Sequence, residues 1–174
     1  MLRYGRRQEG YTLVELIIAS AVGVILMTGL TSVILTSVQA GVTATSRVEA
    51  SSQIRNFGLN AYDDFALSGL KTLLGCTSPC SSPITLQGLR ASNLSSPAAS
   101  NFMVTYTWQS ASNPQTLDRQ VGGSPPVRAA TGVTAFSWYV DGSPPNQTVV
   151  VMLTVTVNAY AESQTFRFHP RLVP

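Results

Sequence analysis

The chain has 174 residues, a formal net charge of +3, 44% hydrophobic residues and only 11% charged ones. That length suits one ordinary domain, and a charged fraction well under the roughly 25% of soluble proteins points to a membrane segment or an extracellular life. Arg3, Arg6, Arg7 and Glu9 carry +2 of the net charge, so the chain beyond Gly10 stands at about +1, and net charge supports neither nucleic-acid nor anionic-membrane binding.

Residues 1–10 are short, polar and basic, and from Leu16 to Val38 there is no charged residue. That uncharged run is long enough for the roughly 20 residues that span a bilayer as a helix. Three arginines precede the run and none follows until Arg47, so the positive-inside rule places the N-terminus in the cytoplasm and the bulk of the chain across the membrane. An ordinary secretory signal is cut behind its apolar core. Here the polar leader ends at Gly10 just ahead of the core, and a cut at that point leaves the apolar helix on the mature protein. Ala19, Ser20, Gly23, Thr28, Gly29 and Ser32 would allow close helix approach. The run contains no proline, so no proline-directed kink is expected; Gly23 and Gly29 are its weak points.

The stretch from Gly10, "GYTLVELIIA", resembles the class III signal of type IV pilins and pseudopilins. In that family a prepilin peptidase cuts after the glycine, the new N-terminal residue is N-methylated, and a glutamate occupies its fifth position. Gly10, Tyr11, Thr12, Leu13, Val14 and Glu15 each match, with Tyr11 in place of the usual phenylalanine. The resemblance implies cleavage between Gly10 and Tyr11 and methylation of Tyr11. It also implies insertion in a bacterial inner membrane, with partners that include the peptidase, other minor and major pilins or pseudopilins, and the assembly platform. A lone carboxylate in an apolar helix calls for a positive partner. Cleavage at Gly10 would create one, the α-amino group of Tyr11, and in the family this glutamate pairs with the terminal amine of a neighbouring subunit. Glu15 therefore reads as an assembly residue. The competing reading puts Glu15 at headgroup level, reaching to water.

The helical pattern continues past the membrane. Ile54, Phe57, Ala61, Tyr62 and Phe65 form one apolar face, while Arg55, Asn56, Asn60, Asp63 and Asp64 point elsewhere. One helix from Tyr11 to about Leu67 would be roughly 85 Å long.

The remainder reads as strands. "FMVTYTW" sets Phe102, Val104, Tyr106 and Trp108 against Met103, Thr105 and Thr107. "FSWYV" presents Phe136, Trp138 and Val140, and "VVVMLTVTVNAY" presents Val149, Val151, Leu153, Val155 and Val157. Gly-Gly-Ser-Pro-Pro at 122–126 and Asp-Gly-Ser-Pro-Pro at 141–145 are turn signals. The expected fold is α+β, with one antiparallel sheet lying on the second half of the long helix. Four zones follow: leader 1–10, transmembrane and assembly helix 11–38, amphipathic helix 39–70, and sheet head 71–174.

The C-terminal half resembles W-type minor pilins of type IV pili and J-type minor pseudopilins of type II secretion. Leu117 with Arg119, Ala130 with Gly132 to Phe136, and Pro170 with Arg171 carry the match. It implies a place at or near a filament tip.

Cys76 and Cys80 form C-x3-C in a translocated head, where a disulfide is expected; two thiols or half a metal site are the alternatives. Zinc is disfavoured because there is no second cysteine pair and the single histidine, His169, is distant. No cofactor is indicated, and the usual catalytic constellations lack their parts, so the protein reads as a non-enzyme. Asp63-Asp64 reads as a solvated or subunit-contacting face. Arg119, Arg128, Arg167 and Arg171 are the residues a DNA-binding face would use, but scattered strand arginines are more often solvated or paired. DNA is the disfavoured partner. Asn93 and Asn146 fit the glycosylation sequon as easily by chance as by design.

Overall fold

The computed structural model describes residues 11–68, 76–93, 96–143 and 147–170, with no description of the side chains between 89 and 100. The leader with Gly10, and also Asn146 and Arg171, lie outside the described residues. One helix, α1 (Leu13–Leu67), is followed by seven strands: β1 (Ile84–Asn93), β2 (Ser96–Gln109), β3 (Thr116–Val121), β4 (Val127–Thr131), β5 (Val133–Asp141), β6 (Thr148–Val157) and β7 (Tyr160–Phe168). The chain divides into two compact units, Met1–Val42 and Thr43–Pro174.

In the first unit α1 is exposed throughout, and it is long and apolar enough to cross a membrane. The helix passes unbroken through Gly23 and Gly29. Its hydroxyl groups are satisfied locally: Ser20 donates to the Ile17 carbonyl, Thr28 to Ile25, Thr31 to Met27, Ser32 to Gly29 and Thr36 to Ser32, all at 2.8–2.9 Å. Such i−3 and i−4 bonds let serine and threonine sit in an apolar helix without a stranded donor.

In the second unit the remaining turns of α1 carry two antiparallel sheets, ordered β1-β2-β3-β4 and β5-β6-β7. The α+β fold is as expected; two sheets stand where one was anticipated. The division falls at Gly132, between the last residue of β4 and the first of β5. Gly132 has φ +73°, and a Cβ there would meet the Thr156 carbonyl oxygen at 2.7 Å. Its N–H donates to the Gln115 carbonyl and its own carbonyl accepts from Thr156, both at 2.8 Å. Only glycine fits a left-handed corner tied on both sides to backbone.

Both sheets bury their apolar faces against α1. Val104, Tyr106, Phe136, Trp138, Val140, Val149, Val151, Leu153 and Val155 are all buried, as the strand alternation predicts, with Phe102, Trp108 and Val157 partly so. Phe57 joins the layers, edge-on to Tyr106 of β2 at 5.6 Å, Phe136 of β5 at 6.4 Å and Phe166 of β7 at 5.2 Å. Phe65 stacks on Phe168 at 4.3 Å. Ile54, Phe57, Ala61 and Phe65 form the packed helix face, but Tyr62 does not belong to it and is 67% exposed. The apolar stripe is narrower than periodicity suggested, because β7 stops short of covering Tyr62.

Candidate functional site

Thr12 caps α1, its Oγ1 accepting from the Glu15 N–H at 3.3 Å, while the Thr12 carbonyl accepts from Leu16 at 3.2 Å. Thr12-Leu-Val-Glu15 has the capping-box pattern T-x-x-E, a signal the sequence reading passed over. The cap fixes where the helix starts and puts Glu15 in its first turn, where the positive end of the helix dipole favours a carboxylate. Tyr11 precedes the helix and is 84% exposed. Among the described residues no cation pairs with Glu15.

In the head, the residue placed on a solvated face by sequence is at the centre of a buried network. Asp64 is buried, correcting that expectation. Arg119 of β3 grips it through both carboxylate oxygens, Nε to Oδ2 at 2.6 Å and Nη2 to Oδ1 at 2.7 Å. The Tyr106 hydroxyl donates to Oδ2 at 2.6 Å. Tyr106 and Arg119 face each other across β2 and β3, so one antiparallel pair delivers both groups to one point of the helix. Burial, and then the charge on Asp64, push the Tyr106 phenol far above its ordinary range; the bond to Asp64 raises the Arg119 guanidinium in turn. Asp63, its neighbour, is exposed as expected. A carboxylate locked in this way anchors helix to sheet and is not free for acid or base chemistry.

Cys76 and Cys80 are joined in a disulfide with their Cα atoms 6.1 Å apart. The loop lies along β5: Cys80 and Trp138 exchange backbone bonds at 2.8 and 2.9 Å, and the Val140 N–H donates to the Cys76 carbonyl at 2.8 Å. The disulfide thus clamps an edge cover onto the β5-β6-β7 sheet.

Among the described residues the arginines are engaged separately. Arg119 is spent on Asp64, Arg128 stands opposite Asp118 in register, and Arg167 pairs with Asp141 at 3.3 Å. His169 is exposed beside a shallow cleft of about 100 Å³ that it shares with Tyr62, Ala66, Arg167 and Phe168. Among the described residues no group of three or more metal-ligating side chains occurs.

Residues 5–31 match the family model of the prokaryotic N-terminal methylation motif. No curated protein and no solved structure matches the chain. The motif supports a protein of the type IV pilin or pseudopilin kind, processed by a prepilin peptidase and assembled with other pilins. It spans the second half of the basic leader, the Gly-Tyr junction, the capped first turn with Glu15 and about two thirds of the apolar run.

Proposed function

We propose that the chain is a minor pilin or pseudopilin, cut between Gly10 and Tyr11, N-methylated on Tyr11, and assembled at or near the tip of a type IV pilus or secretion pseudopilus. The observation that carries this reading is the methylation motif over residues 5–31, joined directly to an uninterrupted apolar helix and followed by an α+β head. In this reading the N-terminus starts in the cytoplasm and the head lies in the periplasm or outside the cell. Glu15 meets the methylated amine of a neighbouring Tyr11 and sets the register of the two helices. Thr12 supports that role by fixing the first turn on which Glu15 stands. The minor, tip-directed assignment rests on the likeness of the Leu117–Arg119, Ala130–Phe136 and Pro170–Arg171 segments to W-type and J-type subunits.

The test is the intact mass and N-terminal sequence of the protein recovered from membranes of its native host. A chain beginning at N-methyl-Tyr11 supports the reading; one beginning at Met1 in a host with an active peptidase overturns it. The second reading, a membrane-anchored head that binds DNA or a surface without polymerising, is separated by Glu15→Ala. Assembly should fail in the first case and display should be unchanged in the second.

A further inference from the structure

We propose that the outer edge of β7 is a docking site for an extended strand of a partner protein, one that carries an acidic side chain to meet Arg55. The two sheets have four edge strands, β1, β4, β5 and β7, and among the described residues β5 is bonded along its length by another segment while β1 and β4 are each met at one point. Ser68 bridges β1 at Gly88, where a Cβ would overlap the Leu67 carbonyl. β4 is short, and its last N–H, at Thr131, donates to Gln53 Oε1 at 3.0 Å. β5 carries the disulfide loop.

β7 has no such contact on its outward backbone groups among the described residues. The pair Val157↔Tyr160 closes a two-residue turn and is therefore hydrogen-bonded, as is every second pair after it. Residues 160, 162, 164, 166 and 168 consequently bond to β6, and the backbone groups of Ala161, Ser163, Thr165 and Arg167 point outward. The register from Tyr160 to Phe168 runs without a bulge and the strand contains no proline, while its two charged residues are engaged elsewhere, Glu162 by Ser51 of α1 and Arg167 by Asp141 of β5.

The ground beside this edge suits an added strand. β7 runs along α1, with Tyr160 at Arg47, Glu162 at Ser51 at 2.7 Å, Phe166 against Gly58 and Phe168 on Phe65. At about 100° per residue, Tyr62 lies about 40°, Arg55 about 60° and Val48 about 80° further round the helix than Gly58. These residues form the strip just past β7. Val48 and Tyr62 are 70% and 67% exposed, and Arg55 is an exposed cation with no ion pair among the described residues. A partner strand would bond to the four outward residues of β7. Its inward side chains would cover Val48 and Tyr62 and set a carboxylate on Arg55, combining strand addition with charge complementarity.

The inference goes beyond the proposed function and rests on it only for where the partner is found. The experiment is residue-resolved hydrogen exchange on the full chain, alone in detergent and then in the complex or filament recovered from its native host. Alone, the amides of 161, 163, 165 and 167 should exchange about 100-fold faster than those of 162, 164, 166 and 168; in the assembly they should slow at least about tenfold. Ser163→Pro, at an outward N–H where proline is tolerated, and Arg55→Glu should each cut retention in the assembly about tenfold while leaving exchange elsewhere in the isolated chain unchanged. Gln164→Pro, whose N–H bonds to β6, is the control expected to disrupt the fold. Assembly with the four outward amides still fast overturns the docking site and leaves the filament reading intact. Protection of the isolated chain that grows with its concentration makes the occupant a second copy and overturns the partner assigned here. A chain never recovered with other subunits overturns both readings.

Discussion

Asp64 and Arg119, 55 residues apart in sequence, form a two-point ion pair at 2.6 and 2.7 Å, with the carboxylate buried and the guanidinium side chain 24% exposed. This is the ionic contact by which α1 is held to the β1-β2-β3-β4 sheet, and it is closed by the Tyr106 hydroxyl on the same carboxylate. The helix is amphipathic, but an apolar stripe alone permits sliding by a turn; a bidentate pair permits one register.

Removing one partner leaves a buried charge without compensation. Arg119→Met should therefore destabilise the head by about 2–4 kcal/mol, the lower end reflecting the partial exposure of the arginine. Arg119→Lys should cost about half as much, since an ammonium cannot hold both oxygens. Denaturant unfolding followed by the fluorescence of Trp108 and Trp138 measures both. Equal stability of Arg119→Met and the parent would remove the anchoring role.

The Tyr106 phenol, held protonated by burial and by Asp64, couples stability to alkali. Its folded pKa lies above the unfolded value of 10.0, so this contribution is fully present below about pH 10 and is lost as pH rises beyond it. Stability should fall above pH 10, and Tyr106→Phe should flatten that fall while costing about 1 kcal/mol at pH 7 for the lost hydrogen bond. Denaturant midpoints between pH 8 and 11.5 for the two proteins provide the comparison. Parallel curves would mean that Tyr106 is not the group responsible.

Gly132→Ala should lower stability by about 2–3 kcal/mol, because the corner between β4 and β5 needs φ +73° and leaves no room beside the Thr156 carbonyl. Gly123→Ala, where a Cβ meets nothing within 4 Å, should change stability by less than about 0.5 kcal/mol. Thermal unfolding of the two variants side by side gives the difference. Similar melting temperatures would contradict the backbone contact at Gly132.

Opening the Cys76–Cys80 loop should act locally before it acts globally. Closure of so short a loop contributes roughly 2 kcal/mol, so Cys76→Ser with Cys80→Ser should lower stability by about that amount. The amides of Trp138 and Val140, which donate to Cys80 and Cys76, should exchange faster, while those of Val151 and Leu153 should not. Uniform acceleration across β5 and β6 would point to a general loss of stability with no edge-clamping role.

Much of the architecture is visible in the residues themselves because it depends on local spacing. The Gly10-Tyr11 junction, Glu15 and the uncharged run to Val38 are contiguous, and the helix they announce continues to Leu67. Alternation in Val104-Tyr106 and in Val149 to Val155 names the buried side of each strand before any fold is known. The pattern failed where burial depends on a partner far along the chain. Asp64 looks solvated until Arg119 and Tyr106 arrive from neighbouring strands, and Tyr62 looks buried until β7 leaves it uncovered.

What the sequence by itself determined is the N-terminal device, the long helix and the strand faces, because each is written in periods of two or 3.6 residues or in a continuous motif. Only the tertiary structure decided that the head holds two sheets turning at Gly132, that one carboxylate anchors the helix, and that β7 is an edge strand whose outward backbone groups meet no partner among the described residues. Those features depend on which strands pair and on what lies across from each side chain, and a linear pattern carries no record of distances that close only on folding.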